Sequence, residues 1–183
     1  YDAQNPDCDL WEFDGWNGGP PNYGGIYFYQ EDGKCCTIWG RRPNYGRSEV
    51  RAFITNNLIM WLDEFRIDGF RWDSPMNIKY YDGTFNPDGY NMVWGLNQWI
   101  RNNYPNHFSV GEDQNQDMNF DSEWHDSFHY NIVDQLTKAA DADRNMWTVR
   151  DQLNYGYGHY RLIYTESHDK VGSLNNDKRL VAK

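Results

Sequence analysis

Gly69-Phe70-Arg71-Trp72-Asp73-Ser74-Pro75 reads as the last residues of a buried strand followed by a stop. Side chains alternate along a strand, so Ile67, Gly69, Arg71 and Asp73 share one face while Asp68, Phe70 and Trp72 take the other. One face therefore ends in a cation two residues from a carboxylate. A guanidinium so placed stabilises the ionised carboxylate and lowers its pKa, which a carboxylate needs if it is to act as a nucleophile at neutral pH. The same pair also fits a structural ion pair at a strand end, and this stretch alone does not choose between the two. The company Asp73 keeps further along the chain does.

Upstream, Ser48 reads as an N-cap, and Val50, Phe53, Ile54, Leu58, Trp61, Leu62 and Phe65 follow at helical spacing, so residues 48–65 are expected to form one amphipathic helix. Before it, residues 2–46 carry no helical period and are dense in Gly, Pro, Asn and aromatics. This predicts a long ordered loop, with residues 26–29 and 35–38 forming a hairpin about a turn at Asp32-Gly33. Trp11, Phe13, Trp16, Tyr23 and Trp39 would give such a lid an adhesive underside. Downstream, residues 75–90 return to turn chemistry at Asp82-Gly83 and Asn86-Pro87-Asp88-Gly89, and Val93, Leu96, Trp99 and Ile100 mark a second helix. Residues 107–113 read as a second strand ending in Glu112 and Asp113, and residues 120–129 hold a short third. Residues 130–136 and 147–153 have partial helical character. Residues 160–166 read as a last strand running into Ser167-His168-Asp169.

Strand, loop, helix, strand in this order is the pattern of parallel βα units. Asp73 and Glu112 lie 39 positions apart, one unit with a long loop, and Glu112 and Asp169 lie 57 apart, the length of two. Acidic groups thus fall at the C-terminal ends of parallel strands, the rim where a (β/α)8 barrel places its chemistry. A doubly wound open sheet also gathers ligands there, but it would normally carry a Gly-rich phosphate loop after a strand, and this sequence has none.

Lys plus Arg number 17 against 27 Asp plus Glu, a formal charge of −10, which argues against a nucleic-acid partner. No apolar run approaches the length of a membrane span, so a soluble protein is expected. The start at Tyr1, with no initiator Met or signal peptide, reads as a piece of a longer chain. Cys8, Cys35 and Cys36 are odd in number, and the adjacent pair suits neither a disulfide framework nor a spaced zinc motif, which points to a reducing compartment. His125-Asp126 and the acids at Asp113 and Asp117 lack the ligand spacing of a metal site, and no metal or other cofactor is expected. Nine Trp, fourteen Tyr and nine Phe exceed what a core of this size needs and suit a sugar-binding cleft.

Gly-Phe-Arg-Trp-Asp at 69–73, Gly-Glu-Asp at 111–113 and Glu-Ser-His-Asp at 166–169 resemble three of the four sequence regions of the α-amylase family of glycoside hydrolases and transglycosidases, in the family's order and spacing. The resemblance runs through nearly the whole chain. It implies that Asp73 is the nucleophile and Arg71 its partner, that Glu112 is the general acid and base, that Asp169 stabilises the transition state, and that His168 bonds sugar hydroxyls. Retaining glycosidases need one ionised carboxylate and one protonated carboxyl about 5 to 5.5 Å apart. Arg71 would hold Asp73 charged, while Asp73 and Asp169 as negative neighbours would raise the pKa of Glu112. The family's first region, an Asp followed by Asn-His, is absent here, as are counterparts of strands one to three and eight. The expectation is therefore residues 1–183 as part of an α/β (β/α)8 TIM barrel, roughly from the loop after strand 3 through strand 7, with residues 1–46 as lid.

Leu10-Trp11-Glu12-Phe13-Asp14-Gly15, Trp39-Gly40, Tyr45-Gly46-Arg47 and Met60-Trp61-Leu62 are most similar, within that family, to glycogen and starch branching enzymes. The resemblance implies an α-glucan partner (starch, glycogen or a maltooligosaccharide), transfer from α-1,4 to α-1,6 linkage, and a cytoplasmic or plastid location. Hydrolysis of α-1,4-glucans by the same trio stays open, as does a non-catalytic sugar-binding barrel piece.

Overall fold

The structure, a computed structural model, describes residues 25–114, 116–154 and 160–170. Trp11, Phe13, Trp16 and Tyr23 of the expected lid, and the 10–15 segment, lie outside the described residues. In chain order the elements are β1 (Cys36–Thr37), β2 (Gly40–Arg41), α1 (Ser48–Asp63), β3 (Gly69–Trp72), α2 (Pro75–Lys79), β4 (Tyr80–Tyr81), β5 (Thr84–Phe85), α3 (Pro87–Asn103), β6 (Phe108–Gly111), β7 (Ser122–Trp124), α4 (Asp126–Thr137), α5 (Met146–Leu153) and β8 (Arg161–Leu162). A four-stranded sheet has the order β3-β6-β7-β8, and β6–β7 and β7–β8 pair in parallel. Two compact units are distinguished, the first holding residues up to 70, 74–108 and 116–119, the second residues 71–73, 109–115 and those from 120 onward. Among the described residues no helix is long and apolar enough to cross a membrane.

In the first unit, α1 buries Val50, Leu58 and Leu62 along one stripe, and Val50 with Ile54 packs against Tyr27 and Phe28. Ser48 is the first helical residue and not the cap, since its hydroxyl donates to the Glu49 carboxylate and Arg47 holds the cap position. The hairpin also differs from expectation. Residues 36–37 pair with 40–41, and Phe28 bridges to Pro43. Ile38 and Trp39 sit at the turn, 87% and 64% exposed, so the apolar run at 35–38 is not a core strand. The buried Arg42 helps to set this register. Its amide donates to the Cys35 carbonyl, its Nε to Asn77 O at 2.9 Å, and its Nη1 to the Lys34 carbonyl. Cys35 and Cys36 are joined to each other, in place of the reduced pair expected. A bridge between neighbours closes no chain loop, so it gives little of the loop-closure stabilisation of a framework disulfide.

Within residues 75–90 the expected turn at Asp82-Gly83 closes the β4–β5 hairpin, while a short helix precedes it and the Asn86–Gly89 segment begins α3. Asn-Pro-Asp-Gly serves a helix start as well as a turn: Asn86 takes the cap position and Pro87 the first turn, where a missing N–H costs nothing. Gly89 is buried in that turn, and a Cβ there would stand 2.2 Å from the Ile78 carbonyl oxygen, so the position takes glycine. Farther along, α3 holds residues 116–119: Asn97 Nδ2 donates to Met118 O at 2.9 Å, and Arg101 Nη1 to Asn119 Oδ1 at 2.6 Å. Gly69 has a comparable role in β3, where an added Cβ would meet the Phe108 carbonyl oxygen at 2.2 Å.

The second unit packs α4 against α5. Phe128 and Ile132 face inward, and Asn145 caps α5 by accepting the Trp147 amide at 3.0 Å, a contact worth about 1 kcal/mol. Its short strand β7 lies within residues 120–129 as expected, and residues 126–137 continue as helix. Gly111 lies under Phe120, whose ring would be 2.7 Å from an added Cβ. Glu123 and Arg161, paired in register across β7 and β8, form a nearly buried ion pair at 2.7 Å. Beside it, burial, reinforced by Arg161 and partly offset by Asp126, holds the His125 imidazole below the ordinary histidine value. A group that binds its proton less readily folded than unfolded contributes stability that is complete above about pH 6.5 and is lost as pH falls toward the folded value. The melting temperature is therefore expected to fall from about pH 7 to about pH 5, with His125→Gln flattening that slope. An identical slope in the variant would show that another group carries the acid sensitivity.

Candidate active site

Asp73 and Glu112 are each the first residue beyond a strand end, after β3 and β6 respectively. The backbone ties these two ends together, since the Glu112 amide donates to the Trp72 carbonyl at 3.1 Å. Arg71 joins the side chains. Its Nη1 lies 2.5 Å from Asp73 Oδ1 and its Nη2 3.0 Å from Glu112 Oε1, so one planar fork holds both carboxylates. The contact between Arg71 and Asp73 agrees with the alternation read from the sequence. That Arg71 also grips Glu112 is new, because residues 41 positions apart announce no such contact.

The two carboxylates differ in setting. The Asp73 side chain is 80% exposed and open to an incoming molecule, whereas Glu112 is 23% exposed and Arg71 31%. A carboxylate held at one oxygen can present its other oxygen to an incoming molecule.

Asp169 lies on a loop, not directly on the end of a strand, because β8 covers only Arg161 and Leu162 of the expected 160–166. That loop is fastened from α4. His129 donates its Nδ1 proton to the Thr165 carbonyl at 2.8 Å, which fixes the tautomer, and its ring stacks on Tyr164 at 5.4 Å between centroids. The Tyr164 hydroxyl donates to Asp126. Burial, that hydrogen bond and the negative charge of Asp126 push the Tyr164 hydroxyl well above its ordinary value, so it stays protonated as a donor. At the loop's end His168 Nε2 lies 3.3 Å from Asp169 Oδ1. The sequence held no signal for Tyr164, His129 or Asp126 in this supporting role, since each acts through a partner more than thirty positions away.

His125 and Asp126 occupy structural positions at the start of α4, and among the described residues no group of three or more His, Cys, Asp or Glu side chains could hold a metal ion.

No family model matches the chain. Curated relatives include the 1,4-alpha-glucan branching enzyme GlgB of Fusobacterium nucleatum, 35% identical over 107 residues that cover 57% of this chain and 16% of the relative. The corresponding GlgB of Picrophilus torridus is 25% identical, covering 94% of this chain and 30% of the relative. The chloroplastic/amyloplastic 1,4-alpha-glucan-branching enzyme 2-2 of Arabidopsis thaliana is 27% identical, covering 78% and 21%. The chain thus spans less than a third of the length of these relatives. In fold it is similar to a putative alpha amylase from Salmonella typhimurium (TM-score 0.55, 20% identity, 80% of this chain and 31% of that one). It is also similar to the maltogenic amylase from S. marinus (TM-score 0.53, 20% identity, 76% and 20%). The chain resembles the α-amylase family in sequence and in fold, with branching enzymes among its curated relatives.

Proposed function

We propose that this chain is a piece of the (β/α)8 catalytic domain of a retaining α-glucan-active enzyme, with Asp73 as nucleophile and Glu112 as acid and base. The observation that carries the reading is the single Arg71 fork shared by both carboxylates just past two neighbouring strand ends. This keeps the pair within one guanidinium's reach, the scale of the about 5 to 5.5 Å that separates the carboxyls of retaining glycosidases. Glu112 gives its proton to the glycosidic oxygen while an Asp73 oxygen bonds to the anomeric carbon and the C–O bond to the leaving chain breaks. Glu112, now ionised, then takes the proton of an incoming hydroxyl, whose oxygen displaces Asp73 and releases the sugar. Asp169 stabilises the positive charge that develops on the sugar ring, and His168 beside it bonds ring hydroxyls. Every step is a proton transfer or a displacement at carbon, which these carboxyls supply without a cofactor.

The incoming hydroxyl decides the product. The names of the relatives, 1,4-alpha-glucan branching enzymes, support a second glucan chain as the acceptor. The intact protein should convert amylose into product with new α-1,6 linkages and few new reducing ends, both countable by proton NMR and a reducing-sugar assay. Free accumulation of reducing ends without a branch signal would make it an amylase-type hydrolase.

A further inference from the structure

We infer that Trp124 is the positioning residue that couples the Arg71 fork to the His168-Asp169 loop. The inference rests on the site proposed above and adds to it a residue outside the carboxylates and their arginine. The Arg71 guanidinium lies over the Trp124 indole, 4.7 Å from Cζ to the ring centroid. The same indole meets the His168 ring edge to face at 6.0 Å, and the Tyr164 ring at 5.1 Å.

Arg71 spends two of its nitrogens on Asp73 and Glu112, and those bonds lie in the guanidinium plane. In-plane bonds resist in-plane movement but leave the fork free to tilt about the line between the carboxylates. An aromatic face beneath the cation removes that tilt, because the attraction falls as the guanidinium leaves the ring. Trp124 is suited to the task by its strand. Glu123 turns to the opposite side and is fixed to Arg161, and Trp124 is paired in register with Leu162 of β8, so the backbone that carries the indole is held by the sheet. The same ring meets the loop that carries Asp169 through His168 and Tyr164, and His129 fastens that loop from α4. One rigid side chain therefore sets where the fork from β3 stands relative to the loop after β8. The titratable and charged groups around this contact are Asp73 and Glu112 on Arg71, Tyr164 and His168 on the indole, and Asp169 beside His168.

The test compares Trp124→Phe, which keeps an aromatic face, with Trp124→Leu and Trp124→Met, which keep apolar bulk and lose it. In spectra of the full chain labelled with 15N-arginine, Arg71 is assigned by Arg71→Lys. Its Nη protons are expected to give separate, slowly exchanging signals in the parent sequence and in Trp124→Phe, and one averaged signal in Trp124→Leu and Trp124→Met. The His168 ring-proton resonance should move in the Leu and Met variants more than in Phe. In the intact enzyme kcat/KM for an α-glucan should fall about tenfold in Leu and Met, mainly in kcat, and stay within about threefold in Phe. Arg71 signals that stay separate in whichever apolar variant folds would overturn the inference, as would equal losses in Phe, Leu and Met. If no α-glucan is turned over even by the parent sequence, the proposed function fails, while the arginine spectra still decide whether Trp124 positions the fork.

Discussion

Asp73→Asn is expected to lower turnover of α-glucan by at least about 10³-fold in the intact protein, a loss of about 4 kcal/mol of transition-state stabilisation, while binding of the glucan changes by no more than a few fold. The amide keeps the shape of the carboxylate, and its oxygen still accepts from Arg71, so the fork and Glu112 remain in place. What disappears is the negative oxygen proposed to bond to the anomeric carbon. The high exposure of Asp73 makes this separation clean, because its side chain supports little packing and its replacement leaves no cavity. Steady-state rates with a maltooligosaccharide, set beside equilibrium binding of the same ligand, decide the matter. Turnover within tenfold of the parent sequence would remove Asp73 from the nucleophile's role, and a matching loss in binding would mark it as a substrate contact instead.

The site was legible where it is written in short-range chemistry. Alternation along residues 69–73 placed Arg71 and Asp73 on one face, and the ion pair between them follows from two dihedral angles per residue and nothing longer in range. The spacing of Val50, Phe53, Ile54, Leu58, Trp61, Leu62 and Phe65 gave α1 for the same reason, although Phe53, Trp61 and Phe65 are exposed. The reading failed where one local chemistry serves two structures. Asn86-Pro87-Asp88-Gly89 is equally good as a turn and as a helix start, and the choice is made by a tertiary fact, the close approach of Gly89 to the Ile78 carbonyl. The hairpin register was decided by the buried guanidinium of Arg42 and by the burial of Phe28, neither of which has a period in the sequence. Gly69 and Gly111 belong to the motifs, yet their reason is packing: each lies where a side chain would strike a neighbouring strand's carbonyl or the Phe120 ring. Trp124 is the clearest omission. Among nine tryptophans nothing local marks the one that lies under Arg71.

Glu112→Gln separates the proposed proton donor from the proposed nucleophile, and its effect should depend on what leaves. With an α-1,4-linked chain as leaving group, departure without a proton creates a poor alkoxide, and the rate is expected to fall about 10²- to 10⁴-fold. With fluoride at the anomeric carbon no proton is needed, so formation of the Asp73-linked sugar should fall far less. The second step then lacks its base, and the covalent intermediate should build up to a level visible by mass spectrometry of the intact protein. Gln also keeps an oxygen for the second arm of the Arg71 fork, so the positions of Asp73 and Arg71 are disturbed little and the difference between substrates reports proton transfer. The alkaline fall in rate that marks loss of a catalytic proton should vanish in the same variant, because Gln has none to lose. An equal loss for the fluoride and for the glucan, with no intermediate accumulating, would mean that Glu112 shapes the site through Arg71 and does not hand over the proton.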